Sequence, residues 1–88
     1  MTKVTVTFKS TAATLRASID DVRLVFTGKK AERNLAAGPH RLTWTVLGKQ
    51  GDTYSIDLTS PDGASCNGGS EGLNSSGFDI GACKFVIK

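Results

Sequence analysis

The chain is poor in the residues from which catalytic and metal centres are assembled. Its 88 residues include one histidine, two cysteines, one tryptophan and one tyrosine. A zinc site draws on about four Cys or His side chains, and His40 with Cys66 and Cys83 supplies neither the number nor the spacing. No glycine-rich phosphate loop, dinucleotide fingerprint or nucleophile elbow is present, which removes the chemistries those turns support. Asp52, Asp57, Asp62 and Asp79 have oxygens to offer calcium. Their spacing matches no EF-hand loop, however, and Asp recurs in turns because it bonds its own backbone. A catalytic His40 would need a nucleophile or carboxylate within reach; without motif context it reads as a strand-end histidine with a half-covered ring. The chain is therefore expected to be no enzyme and to hold no metal and no cofactor.

Long apolar runs are missing as well. Nothing approaches the roughly 20 residues that a membrane-spanning helix requires. The first ten residues alternate like a strand instead of showing a basic region followed by an apolar one, so no signal peptide is visible. Charge is not scarce, only uneven. Up to Lys49 nine basic residues stand against three acidic ones, and from Gln50 onward two basic residues stand against five acidic ones. Such asymmetry can steer an anionic partner, although strands also place charges outward simply to stay soluble.

What is present points to strands. Ten glycines and abundant Thr and Ser, with 39% hydrophobic and 22% charged residues, describe an ordinary globular composition that leans toward strands and turns. Residues 1–88 are expected to form a single all-β domain, an antiparallel β-sandwich of six to seven strands. The clearest segment is 38–60. His40, Leu42, Trp44 and Val46 alternate on one arm and Tyr54, Ile56 and Leu58 on the other, on either side of Lys49-Gln50-Gly51, so that the apolar partners land on one face. A three-residue turn with Gly51 at positive φ predicts a hairpin pairing Val46 with Tyr54, Trp44 with Ile56 and Leu42 with Leu58.

The remaining segments follow the same logic. Residues 2–9 alternate with Val4, Val6 and Phe8 inward. A two-residue Asp20-Asp21 turn predicts a second hairpin pairing Ile19 with Val22, Ala17 with Leu24 and Leu15 with Phe26. Residues 28–39 break the alternation and read as one or two helical turns or an irregular connector. Residues 60–77, with five glycines and five serines, read as a long loop anchored by Leu73. In 78–88 the apolar parity changes at Gly81-Ala82, which predicts a β-bulge there or two short strands with a bend. On these assignments all six aromatics face inward.

Cys66 in the loop and Cys83 in the last run are the candidate disulfide, with two free thiols as the alternative. Closing such a loop would stabilise the fold by roughly 3 kcal/mol and would place the protein in an oxidising, extracytoplasmic setting, periplasmic or secreted. The candidate binding residues are the basic cluster Lys29, Lys30 and Arg33 and the polar loop residues Asn67, Glu71 and Asn74. Asn74-Ser75-Ser76 also fits a glycosylation sequon.

The run Leu35-Ala36-Ala37-Gly38-Pro39-His40-Arg41-Leu42-Thr43, followed by residues 48–54, resembles a segment of small bacterial immunoglobulin-like and PEGA-type β-sandwich domains. That resemblance implies an envelope-associated accessory or adhesion module without catalysis. The expected function is thus non-enzymatic binding of a protein or polysaccharide partner, as a monomer or a weak edge-strand dimer. The alternative is a small basic β-barrel that binds nucleic acid through Lys3, Lys9, Arg16, Arg23, Lys29, Lys30 and Arg33.

Overall fold

Among the described residues eight strands form, and all but the short third one contribute apolar residues to a shared interior. The computed structural model describes the chain apart from Ala12, Ala13 and Glu71, with the backbone alone at Ser70. In chain order the strands are β1 (Thr2–Ser10), β2 (Thr14–Ile19), β3 (Val22–Arg23), β4 (Lys30–Leu35), β5 (Gly38–Leu47), β6 (Tyr54–Thr59), β7 (Ser65–Ser70) and β8 (Phe78–Ile87). They make two antiparallel four-stranded sheets, the first ordered β4-β1-β6-β7 and the second β3-β2-β5-β8. Alternation requires each sheet to have one apolar face, and the two faces bury each other. Val4 and Val6 of β1 and Ile56 and Leu58 of β6 meet Ile19 of β2, Leu42 and Val46 of β5 and Ile87 of β8 in the core. The class is the expected all-β sandwich, with two open sheets instead of a closed barrel and eight strands instead of six or seven.

The expected hairpin at 38–60 does not form. The turn is there: Asp52 N–H donates to Lys49 O at 3.0 Å, and Gly51 takes φ of +90°. Its two arms, however, belong to different sheets. β5 pairs with β2 and β8, and β6 pairs with β1 and β7. Trp44 lies opposite Ala17 and Gly81, and Ile56 lies opposite Phe8 and Gly68. Side-chain alternation is the same whether two arms lie side by side or face each other across a sandwich, so periodicity could not choose between them. The connection is an arch. It is braced by the segment leading into β8, where Gly51 N–H donates to Leu73 O at 3.0 Å and Leu73 N–H donates to Asp52 O at 2.8 Å. Leu73 is buried, as expected for an anchor.

Asp20-Asp21 does make a hairpin, with both residues at positive φ and Ile19 opposite Val22. Leu24 N–H still reaches Ala17 O, but regular pairing ends at Arg23. The expected pairing of Leu15 with Phe26 is absent because the chain leaves for the first sheet, where the Phe26 ring meets Phe8 edge-on at 5.0 Å. Val22 is exposed at the hairpin tip.

Three further expectations are corrected. Residues 28–39 contain β4, a strand with neither helical turns nor irregular backbone in its middle; Ala31 and Leu35 are its inward residues, and it runs antiparallel to β1 from Thr7↔Lys30 to Thr2↔Leu35. Residues 60–77 contain β7, an edge strand pairing Leu58 with Cys66 and Ile56 with Gly68. Third, β8 has no bulge and no bend: it pairs with β5 without a break from Gly38↔Ile87 to Leu47↔Phe78. Phe78 and Ile80 therefore point outward, 42% and 66% exposed, so not all aromatics are in the core.

Each open side of the sandwich is closed by a bond between sheets. On one side a disulfide joins Cys66 of β7 to Cys83 of β8, with Cα atoms 6.0 Å apart. On the other, the Arg33 Nη1 group donates to Val22 O at 3.0 Å.

Candidate functional site

The two outer faces differ in kind. On the first sheet the outward positions are Lys3, Thr5, Thr7 and Lys9 on β1, Lys30, Glu32 and Asn34 on β4, Ser55, Asp57 and Thr59 on β6, and Ser65, Asn67 and Gly69 on β7. None is apolar beyond glycine, and three of the five charges answer one another. Glu32 binds Lys3 at 3.0 Å and Lys30 at 3.8 Å, and the Lys3 hydrogen bond holds its carboxyl below the usual carboxylate range. Such a face is dressed for water.

The outer face of the second sheet combines unpaired cations, hydroxyls and apolar side chains. The register sets them in rows. Arg23, Ser18, Thr43 and Ala82 lie across β3, β2, β5 and β8; the next row is Arg16, Thr45 and Ile80; the row on the other side ends in Arg41 and Lys84. Beyond these, Leu47 lies beside Phe78 at one end and Pro39 beside Val86 at the other. The central rows enclose a depression of about 570 Å³ whose floor is made of Ser18, Thr43, Gly81 and Ala82 and whose rim carries Arg16, Arg23, Arg41 and Ile80. Among the described residues no side-chain hydrogen bond or ion pair engages Arg16, Arg23 or Arg41. Small residues in the middle and long cations around them leave room for a ligand that brings negative charge.

Acid is present at one corner, already engaged. Asp20 Oδ2 accepts from His40 Nδ1 at 2.5 Å and Asp20 Oδ1 accepts from the Arg41 backbone N–H at 3.0 Å. The other His40 nitrogen, Nε2, donates to Ala36 O at 2.7 Å, and the ring stacks on Phe85 with centroids 5.7 Å apart. Two acceptors facing two ring nitrogens are both satisfied only by the imidazolium. The His40 pKa is accordingly raised, by Asp20 first and the Ala36 carbonyl second, and the Asp20 pKa is lowered chiefly by His40. His40 thus does meet a carboxylate, in a strut that fixes the β2–β3 turn against β5.

A second polar constellation crosses the interior. Trp44 Nε1–H donates to Tyr54 Oη at 3.0 Å, and the Tyr54 hydroxyl donates to Asp79 Oδ2 at 2.5 Å. Burial raises the Tyr54 pKa, with the Asp79 hydrogen bond adding to it. The relay ties β5, β6 and β8 together and satisfies the buried indole and phenol. Among the described residues no group of three His, Cys, Asp or Glu converges as a metal would require.

The residues singled out from sequence are dispersed. Lys29 sits in the turn before β4, Lys30 is on the first sheet's outer face, and Arg33 spans the gap between the sheets. Asn67 is opposite Asp57 on β6, and Asn74 caps a turn by accepting from the Ser76 N–H at 3.1 Å. Glu71 lies outside the described residues. Of the seven cations considered for nucleic acid, Lys3, Lys9 and Lys30 face one way and Arg16 and Arg23 the other. Sequence reasoning did not single out Arg41, Ser18, Thr43, Thr45 or Ile80 as a site. The outward phase of Arg41, Thr43 and Thr45 was readable; which strands flank them was not.

No protein-family model, curated protein or solved structure matches this chain.

Proposed function

We propose that the protein is a non-catalytic binding module working outside the cytoplasm, and that it engages a protein partner through the outer face of the second sheet. The observation that carries this reading is the contrast between the two outer faces: one is polar throughout, with Glu32 paired to Lys3 and Lys30, and the other holds three arginines that form no ion pair among the described residues, on a face that also exposes Ile80, Phe78 and Val86. Monomeric proteins rarely spend apolar surface and unpaired guanidiniums together unless a partner covers them. Burial of Trp44 and Tyr54 leaves no exposed indole or phenol on which sugar rings could lie, which favours a protein over a neutral polysaccharide. The Cys66–Cys83 bond fits an oxidising compartment, and the resemblance to bacterial immunoglobulin-like and PEGA-type accessory domains agrees with that setting.

Selection from mixed peptide and glycan libraries tests the reading. Selected binders are expected to be peptides whose binding is abolished by Thr43→Glu, which fills the floor of the depression and puts a carboxylate among its arginines, and unaffected by Thr5→Glu on the opposite face. Binders that lose affinity only with Thr5→Glu, or turnover of ester, phosphate or glycoside substrates, would overturn it.

A further inference from the structure

Resting on that reading of the second sheet's outer face, we infer that its occupant is an acidic segment of a protein partner, held extended across Arg16, Arg23 and Arg41. Among the described residues the three guanidiniums form no ion pair; Asp20 and Asp21 border Arg41, but the Asp20 carboxylate is taken by His40 and the Arg41 backbone N–H, whereas Lys3 and Lys30 of the opposite face share Glu32. A guanidinium presents paired N–H donors that match a carboxylate in bidentate fashion, so an arginine cluster whose side chains are not ion-paired selects carboxylates more sharply than lysines would.

Spacing narrows the occupant further. With strands about 4.8 Å apart and alternate residues about 6.8 Å apart along a strand, the register puts Arg16 and Arg23 about 8 Å apart and Arg16 and Arg41 about 14 Å apart at Cα. Carboxylates at alternate positions of an extended peptide repeat at the same step of about 6.8 Å, so residues i, i+2 and i+4 reach all three arginines. The Ser18 and Thr43 hydroxyls on the floor can meet the peptide backbone, and Ile80 on the rim offers an apolar contact. Single-stranded nucleic acid would require aromatic platforms among the cations. Phe78, the exposed ring of this face, lies opposite Leu47 at the end of the strands, outside the arginine triangle.

The test is fluorescence anisotropy at physiological ionic strength, with a short labelled peptide alternating Glu and Val as probe and a uronic-acid oligosaccharide and a single-stranded DNA of similar length as comparators. The peptide is expected to bind the parent protein best. Changing all three arginines to Gln is expected to weaken that binding at least about tenfold, and changing them to Lys, which keeps charge but loses the bidentate fork, by a smaller factor. A Lys3→Gln, Lys9→Gln, Lys30→Gln variant is expected to bind as the parent does. Thermal unfolding monitors that each variant remains folded; the arginines make no side-chain hydrogen bond among the described residues, so melting is expected to be unchanged. Tighter, arginine-dependent binding of the oligosaccharide or the DNA would overturn the acidic-peptide assignment while leaving the face as the binding surface. Absence of any arginine-dependent binding would overturn both.

Discussion

The Trp44 indole occupies a slot that two glycines keep open. A Cβ built on Gly68 would come within 2.7 Å of Trp44 Cη2, and one on Gly81 within 2.6 Å of Nε1, with other ring atoms closer still. Gly68 belongs to the first sheet and Gly81 to the second, so one ring sets the distance between sheets where β7 and β8 approach. Gly81→Ala is expected to cost about 1–3 kcal/mol by overpacking and to blue- or red-shift the Trp44 emission, checked by urea unfolding followed through fluorescence. A variant as stable as the parent would show that the slot is loose. His40 gives a second residue-level expectation. Its folded pKa lies above the ordinary 6.5, so the stabilisation from its pair with Asp20 is fully present below 6.5 and is lost as pH rises through the folded value. Asp20 acts in the opposite sense, its contribution fading as pH falls below the ordinary 3.8. An NMR titration of the His40 ring is expected to give a midpoint above 6.5; a midpoint at or below that value would contradict the strut.

At the scale of elements, the disulfide is the staple whose loss should be felt most. Cys66 and Cys83 join the edge strands of opposite sheets, and removing the bond as the double Ser variant is expected to cost about 3 kcal/mol by the loop-closure estimate, measured by equilibrium urea unfolding. An unchanged midpoint would mean that Trp44 packing alone closes that side. The same strands show where sequence was legible and where it was not. β1, β2 and β6 announce themselves by alternating large apolar residues, and their inward sets were read correctly. β4 hid because only Ala31 and Leu35 are buried, one of them small, and the Arg33 between them reaches across the edge to Val22 O. β7 hid because Asn67-Gly68-Gly69 looks like turn chemistry, whereas Gly68 is required by a ring from the other sheet, a demand no local window contains. The change of parity in β8 was real, but its cause was misassigned: Phe78 and Ile80 follow the regular alternation outward, and the unbroken register with β5 needs no bulge.

For the molecule as a whole, β2–β3 and β6–β7 are the hairpins among the described strands, and the other consecutive strands lie in different sheets. Repeated crossing makes every inward residue part of one core and leaves each outer face assembled from strands distant in sequence. That is why the candidate site escaped a linear reading. Arg16, Arg23, Arg41 and Ile80 come from four strands, and only the sheet order brings them into one patch. The expected disulfide and sandwich class were legible because they depend on two residues and on periodicity, whereas a surface depends on neighbours. Among the described residues no helix is long and apolar enough to cross a membrane. The central proposal is that the second sheet's outer face is the surface that binds. The most direct measurement is an amide chemical-shift map of the isotope-labelled protein titrated with the acidic peptide. The expected shifts cluster at Arg16, Ser18, Arg23, Arg41, Thr43, Thr45 and Ile80; shifts centred on Thr5, Thr7, Ser55 and Asp57, or none at saturating peptide, would contradict it.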